Sequence, residues 1–241
     1  LKLWLQAISG ICSAKKGISS NQLHRTLGIT LKSAWFMSHR IRESMRNGNL
    51  SPFGGNGGTV ESDETFLWND PEKPVRRGYA HKNKILSLVD RESGEARSVV
   101  IDDVTAKTIV PILKENIARE ARVITDDAGQ YYYLDEDFAA HGVVRHSLGE
   151  YVSLADPSIH TNIVEGFFSI FKRGMKGVYQ HCAKKHMHRY LAEFDFRYTN
   201  RIAKGVDDSA RADKLLKGVA GKRLTYETTH SHNGSGKGSR I

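Results

Sequence analysis

The sequence predicts an α/β protein in two parts: a small all-α unit over residues 1–50, then a mixed sheet flanked by helices over residues 59–204. Three observations lead there. The first fifty residues hold Lys2, Lys15, Lys16, Arg25, Lys32, Arg40, Arg42 and Arg46 against a single acid, Glu43, and they show helical periodicity. The Pro/Gly-rich stretch SPFGGNGG, residues 51–58, reads as a linker. Beyond it, short β-patterned runs are interleaved with helical ones, the order expected of a sheet covered by helices. A chain of 241 residues suits one substantial domain plus a smaller one. Its net charge of +9 points to a polyanionic partner, nucleic acid foremost. No apolar run approaches the roughly 18 residues of a membrane span. Two cysteines, Cys12 and Cys182, make no disulfide framework and agree with a reducing cytoplasm.

Taken in order, residues 19–45 predict two helices and a tight turn. Ser19 with Gln22 forms a capping box, GIT at 28–30 turns the chain, and Thr30 caps the second helix. Leu23, Leu27, Ala34 and Ile41 face inward, with Trp35 and Met37 or Ser38 between them. This is the pattern of a helix-turn-helix, which would leave Lys32, Ser33, His39, Arg40 and Arg42 for phosphates or base edges. A first strand is expected over 58–68 and a hairpin over 84–101 around RESG. A helix follows over 104–120 with Pro111 inside it, then a short buried strand over 121–127. A short helix from Gln130, a strand over 142–148, and helices over 160–177 and 184–204 complete the domain. Residues 205–241 read as a disordered tail.

The stretch HTNIVEGFFSIFKRGMKG, residues 160–177, sets the functional question. At about 100° per residue, Ile163, Val164, Phe167, Phe168, Ile170 and Phe171 make one broad apolar face. Asn162, Glu165, Ser169 and Lys172 share one narrow polar stripe. Asp63 lies centrally in the first predicted strand and Asp126 at the end of the fourth, and a helix crossing those strands would bring Glu165 to them. Three converging carboxylates repel one another unless cations occupy the site. Oxygen-only ligands suit Mg2+ or Mn2+ and two-metal phosphoryl transfer.

The text of these segments resembles a known family. VESDET (60–65), VITDDAGQYY (123–132), VVRHSLGEYV (143–152) and HTNIVEGFFSIFKRGMKGVY (160–179) are similar to successive blocks of bacterial insertion-sequence DDE transposases. The branch resembled carries a helix-turn-helix like GISSNQLHRTLGITLKSAWFMSHRIRE, and HRYLAEFDFRYTNR (188–201) resembles its closing helix. The resemblance implies an RNase H-like fold and metal-dependent cleavage and joining of DNA at a mobile element's terminal inverted repeats. It also implies at least a dimer on DNA and a bacterial cytoplasmic, nucleoid-associated location.

By position, Asp63 and Asp126 match the first two catalytic and metal-binding carboxylates. Asp126, rather than Asp127, directly follows the threonine of the family's TD pair. Glu165 matches the third, with Asn162 as an alternative or auxiliary ligand and Lys172 as an auxiliary residue facing phosphate. Lys32, Arg40, Arg42, Lys172, Arg173, Lys184 and Lys185 are the expected DNA contacts. The cysteine-rich zinc ribbon common in the family is not in this sequence. HCAKKHMH (181–188) fits no common zinc spacing and reads better as a basic surface. Glu61 and Glu64, flanking Asp63, read as structural, with Glu61 on the Asp63 face. His146 and His160 read either as phosphate or water contacts or as ordinary hydrogen-bonded histidines. Tyr131, Tyr132 and Tyr133 read as core with one exposed ring.

Overall fold

The computed structural model describes residues 1–46 and 51–222. The end of the expected first unit, residues 47–50, and residues 223–241 of the expected tail lie outside the described residues.

Among the described residues, five strands form one sheet: β1 (Thr59–Asn69), β2 (Lys82–Asp90), β3 (Ala96–Ile101), β4 (Arg122–Asp126) and β5 (Ala140–Val144), in the order β3-β2-β1-β4-β5. β1, β2 and β3 form an antiparallel meander, while β4 and β5 run parallel to β1. The parallel neighbours require a crossover, and the helix over Ala106–Asn116 supplies it between β3 and β4. This is the RNase H-like arrangement. β5 starts earlier and ends sooner than the expected 142–148, because the chain leaves the ladder after Val144 and turns through a short 3-10 helix at His146–Leu148.

The period of two along β1 sorts its side chains between two cores. Val60 joins Leu86, Leu88, Ile109, Leu113 and Val123 beneath the helix over Ala106–Asn116. Leu67 joins Ile85, Val89, Val164, Phe167, Phe171 and Phe194 beneath the helices over Asn162–Gly174 and Lys184–Thr199. In chain order the helices are α1 (Lys2–Ser13), α2 (Ser20–Leu27), α3 (Leu31–Met45), α4 (Ala106–Asn116), α5 (Asn162–Gly174), α6 (Lys184–Thr199) and α7 (Asp208–Lys217). A π-helical turn, Met175–Tyr179, continues α5.

α1 and α7 are not in the sequence-based expectation. α1 lacks a side-chain cap, an acid in its first turn and a base in its last. α7 lies in the stretch read as disordered. It is capped by Asp207, which accepts the Ala210 amide, and Leu215 enters the core of α1, α2 and α3. The expected caps of α2 and α3 are present: Ser19 accepts from the Gln22 amide and Thr30 from the Ser33 amide, both at 3.1 Å. Gly28 closes α2 in the left-handed region, φ 65°.

The 51–58 stretch is built into the sheet domain rather than running free. Phe53 is buried and bridges Ile117, and the Gly54 amide donates to Asp90 at 2.8 Å. No described helix is long and apolar enough to cross a membrane.

Candidate active site

Strand register brings the first two carboxylates together. The last paired residues of β1 and β4 are Glu61 and Ile124. Two residues further along parallel strands, Asp63 and Asp126 lie side by side on the face covered by α5. Glu165 stands in the first turn of α5, whose Val164 and Phe167 anchor it to that same face.

Their electrostatics show repulsion at Asp63. The Asp63 pKa is pushed up to about 8, first by burial, then by the Glu64, Asp126 and Glu165 charges, against one opposing hydrogen bond from the Glu64 amide. Burial also raises Asp126; the Ala128 amide opposes, Asp127 adds to the rise and His146 opposes it. Asp127 turns away to accept the Ser147 hydroxyl. Glu165 accepts the Thr161 hydroxyl at 2.9 Å and has His146 Nε2 at 3.6 Å. Asn162 is exposed at the start of α5. Among the described residues, no three His, Cys, Asp or Glu side chains converge closely enough to hold one ion between them.

Lys172 is half-buried two turns along the stripe. Burial lowers its pKa, the Asp63 carboxylate opposes that shift, and Lys176 and Lys82 add to it. An ammonium group thus stands within electrostatic reach of Asp63, with further cations behind it.

The flanking acids have separate work. Glu64 faces the other core, accepting from Tyr131 Oη at 2.7 Å and Gln130 Nε2 at 3.2 Å. Glu61 is completely buried, and its Oε2 accepts the Ile163 and Val164 amides, each at 2.9 Å. These are orphan amides of the first turn of α5, so the strand carrying Asp63 holds the helix carrying Glu165. Arg91 neutralises Glu61 at 2.7 Å and donates to the Ser158 and His160 carbonyls, while His160 Nδ1 lies 3.3 Å from Glu61. The Glu61–Arg91 pair is not legible from spacing. Its one signal is a carboxylate on a buried strand face, which requires a partner.

Several expected DNA contacts are placed differently. Arg42 is fully buried, its Nε 2.8 Å from Glu193 and its guanidinium over Tyr190, so it presents nothing to solvent. His39 is buried beside it, its ring tilted against Trp35. The physical reason is that α3 is covered on two sides, by α1, α2 and α7 and by α6. Arg40 lies over the rings of Trp4 and Phe36. Lys184 is engaged by Asp70 at 3.1 Å and Asp102 at 3.0 Å. Lys32, Arg173 and Lys185 are exposed. Within 181–188, His186 packs edge-on against Trp35 and His39. Tyr131 is core, as expected, but both Tyr132 and Tyr133 are exposed.

A mixed sheet of this order, with paired carboxylates on adjoining strands and a third on the covering helix, defines an RNase H-like domain with acids along one covered face. The chain belongs to the ISXO2-like transposase domain family, whose model matches residues 56–199, over half of the chain. It is 27% identical over 103 residues to an uncharacterized transposase-like protein of Haemophilus influenzae, covering 43% of this chain and 80% of that one. Among solved structures, it is similar to a chain of the simian T-cell lymphotropic virus intasome in complex with PP2A regulatory subunit B56 gamma. That match has 12% identity and a TM-score of 0.36, over 72% of this chain and 63% of that one. A second is the HTLV-2 integrase catalytic core domain in complex with magnesium, in its dimeric form, at 12% identity and a TM-score of 0.34, over 60% and 87%. At those scores the fold assignment rests on strand order and pairing, not on superposition.

Proposed function

We propose that this protein is an insertion-sequence transposase that cleaves DNA at the element's terminal inverted repeats and joins the freed 3′-hydroxyl ends to target DNA. The observation that carries the reading is the juxtaposition of Asp63 and Asp126 on the α5 face, with Asp63 pushed up to about 8 by burial and neighbouring carboxylates. Negative charge gathered at such cost fits a site built for cations. The donors are hard carboxylate oxygens, suited to Mg2+ or Mn2+, and Asp63, Asp126 and Glu165 would hold them, with Asn162 as the alternative third ligand. Bound there, such ions would activate the attacking oxygen and offset charge on the leaving one.

The chain's own residues supply the rest. Glu61 fixes α5 against β1, and Thr161 and His146 hold the Glu165 carboxylate. Lys172 offers its ammonium to a phosphate beside Asp63. Because two element ends are cut in concert, at least a dimer on DNA is expected.

The test is a cleavage and joining assay on labelled duplex from the flanks of the gene, in Mg2+, Mn2+ or EDTA. Wild type should give metal-dependent cuts at a repeat boundary and strand-transfer products, and Asp63→Asn and Asp126→Asn should give neither while binding DNA as wild type does. Metal-dependent cutting that survives both substitutions would sink the assignment. Cutting without joined products would leave a nuclease instead. Comparing Glu165→Gln with Asn162→Ala assigns the third ligand, since only removal of the true ligand abolishes cutting.

A further inference from the structure

A cleft of about 880 Å3 separates the N-terminal helices from the end of α5. One wall is Ser19–Gln22 of α2 with Leu31, Lys32 and Trp35 of α3; the other is Gly177–His181, with Tyr190 of α6. Both walls come from acid-free sequence: the first carboxylate of the chain is Glu43, and none lies between Glu165 and Glu193. Cations surround the cleft instead. Lys15 and Lys16 are exposed in the turn between α1 and α2, which abuts the end of α5. A Cβ on Gly174 would stand 2.8 Å from the Lys16 carbonyl, so that approach requires glycine. Lys172 and Lys176 extend the positive strip back along α5 to Asp63. α2 and α3 also begin at the cleft, turning the positive ends of two helix dipoles toward it.

We propose that this cleft holds the backbone of one strand of the same DNA duplex whose end lies at the carboxylates. The proposal rests on the transposase reading for the identity of that duplex. Charge complementarity selects the occupant: two carboxylate-free walls with cations at their edges fit a polyanion and disfavour an acidic or neutral protein surface. Trp35 supplies a ring for a sugar or base to pack on. Along α5 and its π-helical turn, the twelve steps from Glu165 to Gly177 at about 1.5 Å each span about 18 Å. With the duplex laid along α5, that length corresponds to about five base pairs at about 3.4 Å per pair. The exposed first turn of α3 and the cutting site thus engage one duplex at a fixed spacing.

Binding of a 30-bp duplex from the gene's flank, measured in EDTA across salt concentrations, tests this without catalysis. Lys16→Ala, Lys32→Ala and Lys176→Ala should each make the log–log salt slope shallower by about 0.9 for each phosphate no longer neutralised. Lys107→Ala, on α4 across the sheet, should not change it. Equal slopes in all variants, or an effect as large in Lys107→Ala, would overturn the proposal. In a Trp4→Phe/Trp68→Phe background the same duplex should quench Trp35 fluorescence, and an unchanged signal at saturating DNA would also overturn it. The two readings fail separately. Groove-dependent binding without cleavage by wild type in Mg2+ or Mn2+ would remove the transposase chemistry and keep the groove. Cleavage with wild-type binding in every lysine variant would do the reverse.

Discussion

At the scale of single residues, Glu61 shows how one buried side chain sets the geometry of a site it does not enter. Its carboxylate joins β1, Arg91 and the first amides of α5, so Asp63 and Glu165 inherit their relative position from it. Glu61→Gln keeps the shape but leaves Arg91 without its charge partner, and should cost about 2–4 kcal/mol in urea unfolding. Well below the melting temperature, the folded variant should also bind Mn2+ more weakly, which a purely structural effect would not produce. A stability change under about 0.5 kcal/mol would show that the network does not hold the helix. The positions of Asp63, Asp126 and Glu165 were legible from local pattern, a strand centre, a strand end and a helical stripe, while their selection as a set came from the family resemblance. The Glu61 network was not, because its partners lie 30 and about 100 residues away in sequence. Arg42 misled for the same reason. In a basic helix it reads as a solvent-facing cation, yet Glu193, 151 residues on, draws it into the interior.

At the scale of elements, α6 is the pin between the N-terminal helices and the sheet. Glu193 receives Arg42 at 2.8 Å, Arg197 at 2.8 Å and the Tyr179 hydroxyl at 2.6 Å. Burial alone would raise the Glu193 pKa, but Arg42 and Arg197 outweigh it and hold it below the usual range. The arrangement is lopsided, since Glu193 keeps two donors if Arg42 is removed, whereas Arg42 has no carboxylate if Glu193 is neutralised. Glu193→Gln should therefore cost about 3–5 kcal/mol, and Arg42→Met clearly less, about 1–3 kcal/mol. Urea unfolding of the two variants decides it, and the opposite ranking would refute the assignment. Elements with local signals, the capped α2 and α3 and the hairpin around RESG, were readable in the sequence. α7 was not, because its order is tertiary: Arg211 donates to the Cys12 carbonyl at 2.7 Å and to the Asn200 carbonyl at 2.7 Å, and Leu215 fills a gap beside α1 and α3. Periodicity over one short polar stretch carries no trace of such packing.

At the scale of the whole molecule, the two seams of α6 respond to pH with opposite sign. On the α3 side, burial and then the charges of Arg42, His186, Arg189 and His188 push the His39 pKa down to about 2. On the β3 side, burial pushes Asp195 up to about 7, against hydrogen bonds from the Ser98 amide at 2.8 Å and hydroxyl at 2.7 Å and the charge of Arg97. Below about pH 6.5 the unfolded chain takes up a proton at His39 that the native protein refuses, so stability falls with acidification by about 1.4 kcal/mol per pH unit. Between about pH 4 and 7 the native protein keeps a proton on Asp195 that the unfolded chain has released, so there acidification adds stability at the same slope. From about pH 4 to 6.5 the two contributions cancel. Removing one exposes the other: relative to wild type, Asp195→Asn should lose stability steadily as pH falls across that window, and His39→Phe should gain it. Groups common to all three proteins drop out of the differences, including His186 and His188, whose lowered values act with His39, and Asp63, which acts with Asp195 in metal-free protein. Urea unfolding at half-unit steps from pH 4 to 7.5 in EDTA would show two difference curves of opposite slope. Parallel profiles for the three proteins would mean that neither seam titrates as its burial requires, and that α6 is held by packing alone.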